Sequence, residues 1–222
     1  MDWPALVLSL ELAAATVALL LPAGLVLART LAWRRFRGRR VIEAALALPL
    51  VLPPTVLGFY LLVAFGGESP LGRAFVAATG HTLAFSFTGL LVASLLVNLP
   101  FAIQPMQRAF EAIPDDVRAA AACCGMSPWR IFARIELPLA WPGVLSATVL
   151  TFAHTLGEFG VVLMVGGSIP GATKTVSIAI YDRMQAFDYA GASLMAAVLL
   201  ACSLAAIAVA YSTARPRDGV RG

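Results

Sequence analysis

His154 and Glu158 stand four residues apart, a spacing that sets an imidazole and a carboxylate on one helical face. Such a pair can hold a proton, and a chain of them at membrane depth would mark an ion-coupled carrier. Only Glu11 offers a further buried-run carboxylate, and no inverted repeat of broken helices is evident, so these groups do not make a relay. Cys123 and Cys124 are adjacent and Cys202 lies far along the chain; without a second Cys/His pair they predict small packing residues and no metal site. The glycine-rich "GGSIPGATKT" at 166–175 resembles a phosphate-binding loop but places Ala172 after Gly171 where lysine is required. A membrane enzyme would need clustered His and acidic ligands, which the sequence lacks. Any energy source must therefore reside in a partner.

The elements around these residues are apolar. Of 222 residues, 60% are hydrophobic and 13% charged, far from a soluble balance. Apolar runs long enough to cross a bilayer, about 20 residues each, occupy roughly 5–28, 44–65, 83–103, 144–165 and 192–211. These predict an all-α, five-span membrane protein forming one domain over residues 1–222. The first run lacks a positive leader and a small-residue cleavage site, so it is expected to remain in the mature protein. The net charge of +4 does not point to nucleic acid, because the basic residues flank apolar runs and gather on no aromatic-rich face.

Orientation follows from those basic residues. Residues 29–40 hold six arginines, 108–134 hold four, and the tail holds Arg215, Arg217 and Arg221; the opposite connections hold Arg73, Lys174 and Arg183. This asymmetry predicts an outside N-terminus, a cytoplasmic C-terminus and a cytoplasmic loop at 108–138.

That loop carries helix signals. Pro114 suits a first helical position, Asp115 and Asp116 supply negative charge near the helix N-terminus, and Gly125 is a left-handed stop. Ser127 and Pro128 then start a second, amphipathic helix that is expected to end before Pro138, with Arg130 and Arg134 on one face and Trp129, Phe132 and Ile135 along an apolar stripe. Plain connections are much shorter than this, so the alanine-rich first helix, with Arg118 beside it, reads as a docking surface.

Ala120, Ala121, Gly125, Ile135, Leu137 and Pro138 stand at the spacings of the cytoplasmic-loop signature of ABC importer permeases, although Ala119 replaces its leading Glu. Together with "LPLVLPPTVLGFYLLVAFG" at 48–66 and "LGEFGVVLMVGGSIPGATKT" at 156–175, the chain resembles the molybdate importer permeases over about residues 5–213. Sulfate/thiosulfate permeases share much of the pattern, so the resemblance implies import of a tetrahedral oxyanion: molybdate, with tungstate as a further candidate, and sulfate or thiosulfate as the alternative. It further implies a homodimer in the inner membrane, coupled through 114–128 to a separate ATPase pair that binds ATP and Mg, and supplied by an extracytoplasmic molybdate-binding protein. No cofactor or metal is expected in the chain itself.

Pro49, Pro53 and Pro54 interrupt the second run, as a structural kink or as a break lining the pathway beside Thr55 and Gly58. Gly157, Glu158 and Gly160 are further candidates for pathway or gate. Glu158 lies roughly 24 Å beyond Pro142, in the outer third, and is expected to pair with Lys174, Arg183 or backbone donors between Gly157 and Gly160. Asn98 reads as a buried amide bonded to a neighbouring helix, His81 as interfacial. Residues 175–187 read as a short interfacial or re-entrant helix carrying Val176, Ile180, Met184 and Phe187.

Overall fold

The computed structural model describes residues 1–213, and every regular element there is helical. Arg215, Arg217 and Arg221, counted above for orientation, lie outside the described residues. Three long helices form the centre: α1 (Trp3–Trp33), α5 (Phe87–Glu111) and α8 (Leu137–Gly157). The side chain of Asp2 accepts the N–H of Ala5 and that of Ser86 accepts the N–H of Gly89, so α1 and α5 each start on a polar cap. Their shared core joins Leu20, Ala28 and Leu31 of α1 to Ala102, Ile103, Met106 and Phe110 of α5 and Ala140 and Ala147 of α8. In lipid, where burial of apolar surface between helices gains little over lipid itself, the alanines of this core (Ala28, Ala102, Ala140 and Ala147) allow the close backbone approach that dispersion requires.

The run at 44–65 is not a straight span. α2 (Arg39–Val51) and α3 (Pro54–Phe65) meet at an angle of 111°. Pro53 and Pro54 cannot donate to the preceding turn, and Leu52 is extended, so the helix breaks where the prolines fall. The run at 144–165 also divides. α8 ends at Gly157, Glu158 is extended, and α9 (Gly160–Gly166) restarts after Phe159.

In the 108–138 loop, α6 spans Asp115–Cys123 and α7 Pro128–Ile131. Pro114 is the residue before α6 and not its first helical position. Nor does the second helix end before Pro138: α7 passes through a π-turn, Phe132–Glu136, into α8, giving one helix over Pro128–Gly157. The N–H of Leu137 bonds the carbonyl of Phe132 across that wider turn. The π-turn falls just before Pro138, where an uninterrupted α-turn would be disfavoured by the proline ring and its missing N–H. What reads as a short amphipathic helix is thus one end of a helix long enough to span.

On the opposite end, α4 (Pro70–Thr79) and α10 (Val176–Gln185) are too short to cross a bilayer. α10 packs against α11 (Tyr189–Thr213). Val176, Ile178 and Ala179 are its buried residues, while Met184 is exposed and Phe187 falls beyond the helix with φ +61°. The stripe expected to run from Val176 to Phe187 therefore stops with the helix. Among the described residues, four helices are long and apolar enough to span, or five if the bent α2–α3 pair is one span.

Candidate functional sites: a broken-helix cluster and a helical arm

The two helix breaks meet. α3 packs on α9, and a Cβ built on Gly58 would lie 2.8 Å from the Cβ of Met164 and 3.0 Å from the Cα of Val161. A Cβ on Gly160 would lie 2.8 Å from that of Pro54. Only hydrogen at both positions permits this contact. It brings Pro53, Pro54, Thr55, Gly58 and Gly160 into one region, with Pro53, Pro54 and Thr55 exposed. Gly157 is exposed, and a Cβ added there would meet nothing within 4 Å.

Glu158 closes the break in α8–α9. One carboxylate oxygen accepts the N–H of Val161 at 2.9 Å, capping the first turn of α9. The other lies 3.8 Å from Nε2 of His154. The expected partners are otherwise engaged: Lys174 lies 2.9 Å from Asp182 and 3.9 Å from Asp2, and Arg183 bonds Asp188. A backbone donor holds Glu158, and it comes from Val161, one residue past the expected stretch.

Asn98 is fully buried and ties α5 to α8. Its amide nitrogen donates to the carbonyl of Ser94 at 2.8 Å, which leaves Oδ1 as acceptor for Nδ1–H of His154 at 3.1 Å. The imidazole stacks on Phe101, with centroids 4.1 Å apart. His154 is thereby oriented with Nε2 toward Glu158. His81 is exposed and its Nδ1 lies 3.0 Å from the carbonyl of Thr79.

The "GGSIPGATKT" loop folds on itself. The hydroxyl of Thr173 donates to the carbonyl of Gly166 and accepts the N–H of Ile169, while Ser168 and Lys174 both bond Asp182. Burial raises the pKa of Asp182, but the bonds from Lys174 and Ser168 outweigh it and hold the group below its usual range. Asp188 caps α11 through the N–H of Gly191 and, with Arg183 beside it, is likewise lowered. A lowered carboxylate stabilises above its unfolded pKa and loses that contribution as pH falls through its folded pKa, so this end of the protein should loosen only in acid.

The arm is the second site. In α6, Asp115 and Asp116 occupy the first turn, Ala120 is exposed and Ala121 buried. Gly125 follows with φ +74°, its N–H bonding the carbonyl of Ala122 and the next N–H, of Met126, that of Ala121. Ser127 caps α7 by accepting the N–H of Arg130 at 3.4 Å, with Pro128 first in the helix. Trp129 is 73% exposed, so the expected apolar stripe is not wholly inward; Ile131 and Glu136 are the buried residues there, and Phe132 and Ile135 are half-buried. Leu137 and Pro138 open α8.

Glu136 is the residue that sequence reasoning missed. Fully buried, it accepts from Arg29 of α1 and Arg118 of α6, with distances of 2.7 and 3.0 Å for the shorter contacts. Its sequence signal is a lone carboxylate between Ile135 and Leu137, at the edge of an apolar run.

These features define a multi-span helical membrane component with broken helices and a projecting helical arm. The family model "Binding-protein-dependent transport system inner membrane component" matches residues 21–217, and the chain belongs to that family of multi-pass inner-membrane proteins. It is 46% identical over 219 residues to the molybdenum transport system permease protein ModB of Azotobacter vinelandii, covering 99% of this chain and 97% of that one. It is 34% identical over 186 residues to a probable sulfate transport system permease protein, cysT, of Zygnema circumcarinatum, covering 84% and 64% respectively. Its fold matches a chain of a bacterial ABC transporter involved in import of alginate, with TM-score 0.76 at 16% identity over 97% of this chain and 79% of that one.

Proposed function

We propose that this protein is the membrane-spanning permease subunit of an ATP-driven importer that carries molybdate inward. The near-full-length likeness to a molybdenum permease carries this reading; the match to the sulfate protein is lower and covers less of that protein. Two copies would enclose the pathway, with exposed apolar residues such as Val51, Tyr60 and Val63 on α2 and α3 meeting lipid or the second copy. A separate ATPase pair would bind ATP and Mg and dock on Pro114–Pro128, while a molybdate-binding protein would deliver the anion outside. The permease itself would perform no covalent chemistry. ATP would drive alternating access only through its different affinity for the two conformations.

The experiment is reconstitution with the binding protein and ATPase, followed by competition of molybdate, tungstate and sulfate for uptake. Molybdate should win, with tungstate competing; preferential sulfate uptake would replace the assignment with the sulfate one. If purified permease moved substrate without the ATPase, an ion-coupled carrier would be the better reading.

Orientation has its own test. Cys123 and Cys124 are exposed beside the arm, and Cys202 is half-buried in α11. A membrane-impermeant thiol reagent should label the adjacent pair only when the inner face is opened. Labelling in sealed, intact cells would reverse the topology.

Glu158→Gln tests the role of the carboxylate. Glutamine keeps an oxygen to accept the N–H of Val161, and a bare carboxylate is a poor ligand for a divalent anion, so the cap should survive and the anion should not notice. Stability should fall modestly, by about 1 kcal/mol, with the order molybdate, tungstate, sulfate unchanged. A reordered preference with the same binding protein would make Glu158 a selectivity residue.

A further inference from the structure

We infer that Glu136 is a positioning residue that joins the ATPase-docking arm to the first membrane helix, through Arg118 on one side and Arg29 on the other. This rests on the proposed docking of the ATPase on α6.

The sequence places the three groups far apart in the chain: Arg29 near the end of α1, Arg118 on α6, and Glu136 in the π-turn before α8. The fold gathers them. Nε of Arg29 lies 2.7 Å from one carboxylate oxygen of Glu136, and its Nη2 lies 3.3 Å from the other; Nε of Arg118 donates to that second oxygen at 3.0 Å. The carboxylate is thus gripped by guanidinium groups from two different helices. The Glu136 side chain is 1% exposed, while those of Arg29 and Arg118 are 34% and 29% exposed. Trp33 of α1 completes the joint, with the guanidinium of Arg118 stacked 3.7 Å from its ring centre.

No extensive helix packing joins α6 to α1. The principal helix contact of α6 is with α7, its neighbour across the Gly125 turn. A displacement of α6 reaches α8 through the chain itself. It reaches α1 through the Arg118–Glu136–Arg29 bridge and the Trp33 stack. α1 packs along both α5 and α8, so its movement carries the central bundle. Charge-assisted, two-point bonds fix direction as well as distance, which suits a rigid joint. A charge-neutralising role alone would need one arginine; here two share one buried carboxylate, and Asp115 offers Arg118 only a weak contact at 3.9 Å.

Arg29→Met separates coupling from folding and docking. It cuts the bridge on the α1 side and leaves Glu136 paired with Arg118, so no buried charge is stranded. The test uses the complete transporter in proteoliposomes, with molybdate-loaded binding protein and equal permease content. The variant should carry as much ATPase as wild type and hydrolyse ATP at the same unstimulated rate. Stimulation by loaded binding protein, and uptake per ATP, should fall roughly tenfold, within the range that altering a coupling contact produces. Arg29→Lys, which keeps the charge, should recover part of the loss. Adding Glu136→Gln to Arg29→Met should lower coupling no further, because the ion-pair route to α1 is already cut and the Arg118–Trp33 stack is common to both variants. Wild-type stimulation in Arg29→Met would overturn the inference. So would failure of both Arg29 variants to accumulate in the membrane, which would make the cluster a folding element. If wild type itself shows no stimulation by the loaded binding protein, the transporter reading fails instead, and the two failures are thereby distinct.

Discussion

Gly58→Leu should abolish uptake in the reconstituted transporter while the variant still purifies with its ATPase. The residue lies on α3 where that helix meets α9, and even a Cβ would sit 2.8 Å from the Cβ of Met164 and 3.0 Å from the Cα of Val161. Met164 can rotate its outer atoms, but its Cβ and the main chain at Val161 are fixed by α9. The larger side chain must therefore push α3 away from α9. Overpacking of this kind typically costs about 1–3 kcal/mol, and α9 is the main helical partner of α3. The helix that carries the proposed pathway residues Pro54 and Thr55 is then displaced. α6 lies in another part of the chain, so ATPase association should persist. Gly58→Ala should show the same defect in weaker form. Wild-type uptake by the leucine variant would exclude a functional α3–α9 contact.

The two breaks that meet at this contact differ in how far they can be read from sequence. Consecutive prolines at 53 and 54 remove two donors and force extended geometry before them, so the interruption of the second run is local chemistry. The break at Glu158 has no proline. It depends on a carboxylate capping α9 in preference to continuing α8, and both options are locally available to Leu-Gly-Glu-Phe-Gly. Tertiary contact selects one, with Gly160 pressed against Pro54 and His154 held by Asn98.

The arm shows the same division. Gly125, Ser127 and Pro128 act within a few residues of themselves, and the turn they make follows from φ preference and capping. Pro138 is the converse case: a strong local stop is absorbed by a π-turn because the helix continues into the membrane. Glu136 could not be paired from sequence, since Arg29 lies 107 residues away. Arg29 itself counts toward topology and gives no separate sign of its buried partner. A lone carboxylate at the edge of a span was the available clue, and it identifies a residue that needs a cation without saying which.

Gly125→Val should uncouple ATP hydrolysis from uptake, and Gly125→Asn should not. The N–H of Gly125 bonds the carbonyl of Ala122 at 2.9 Å, and that of Met126 reaches back to Ala121 at 3.2 Å, a pair of bonds that requires left-handed geometry at the glycine. Its φ is +74°, and a Cβ there would have no atom within 4 Å. Space is therefore not the constraint; conformation is. Left-handed geometry costs most residues about 1–2 kcal/mol, and β-branched valine suffers particularly, whereas asparagine visits the region readily. Valine should relieve the strain by unwinding the end of α6, re-aiming the surface proposed to meet the ATPase. Asparagine, of similar bulk, should keep the turn. The penalty corresponds to roughly a 5- to 30-fold loss of the correctly set turn, read as reduced ATPase co-purification or as hydrolysis no longer matched by uptake. If bulk at the docking face were the cause, asparagine and valine would be equally defective, and that result would remove the left-handed turn from the coupling mechanism. If both variants behaved as wild type, α6 would not depend on this turn for its function at all.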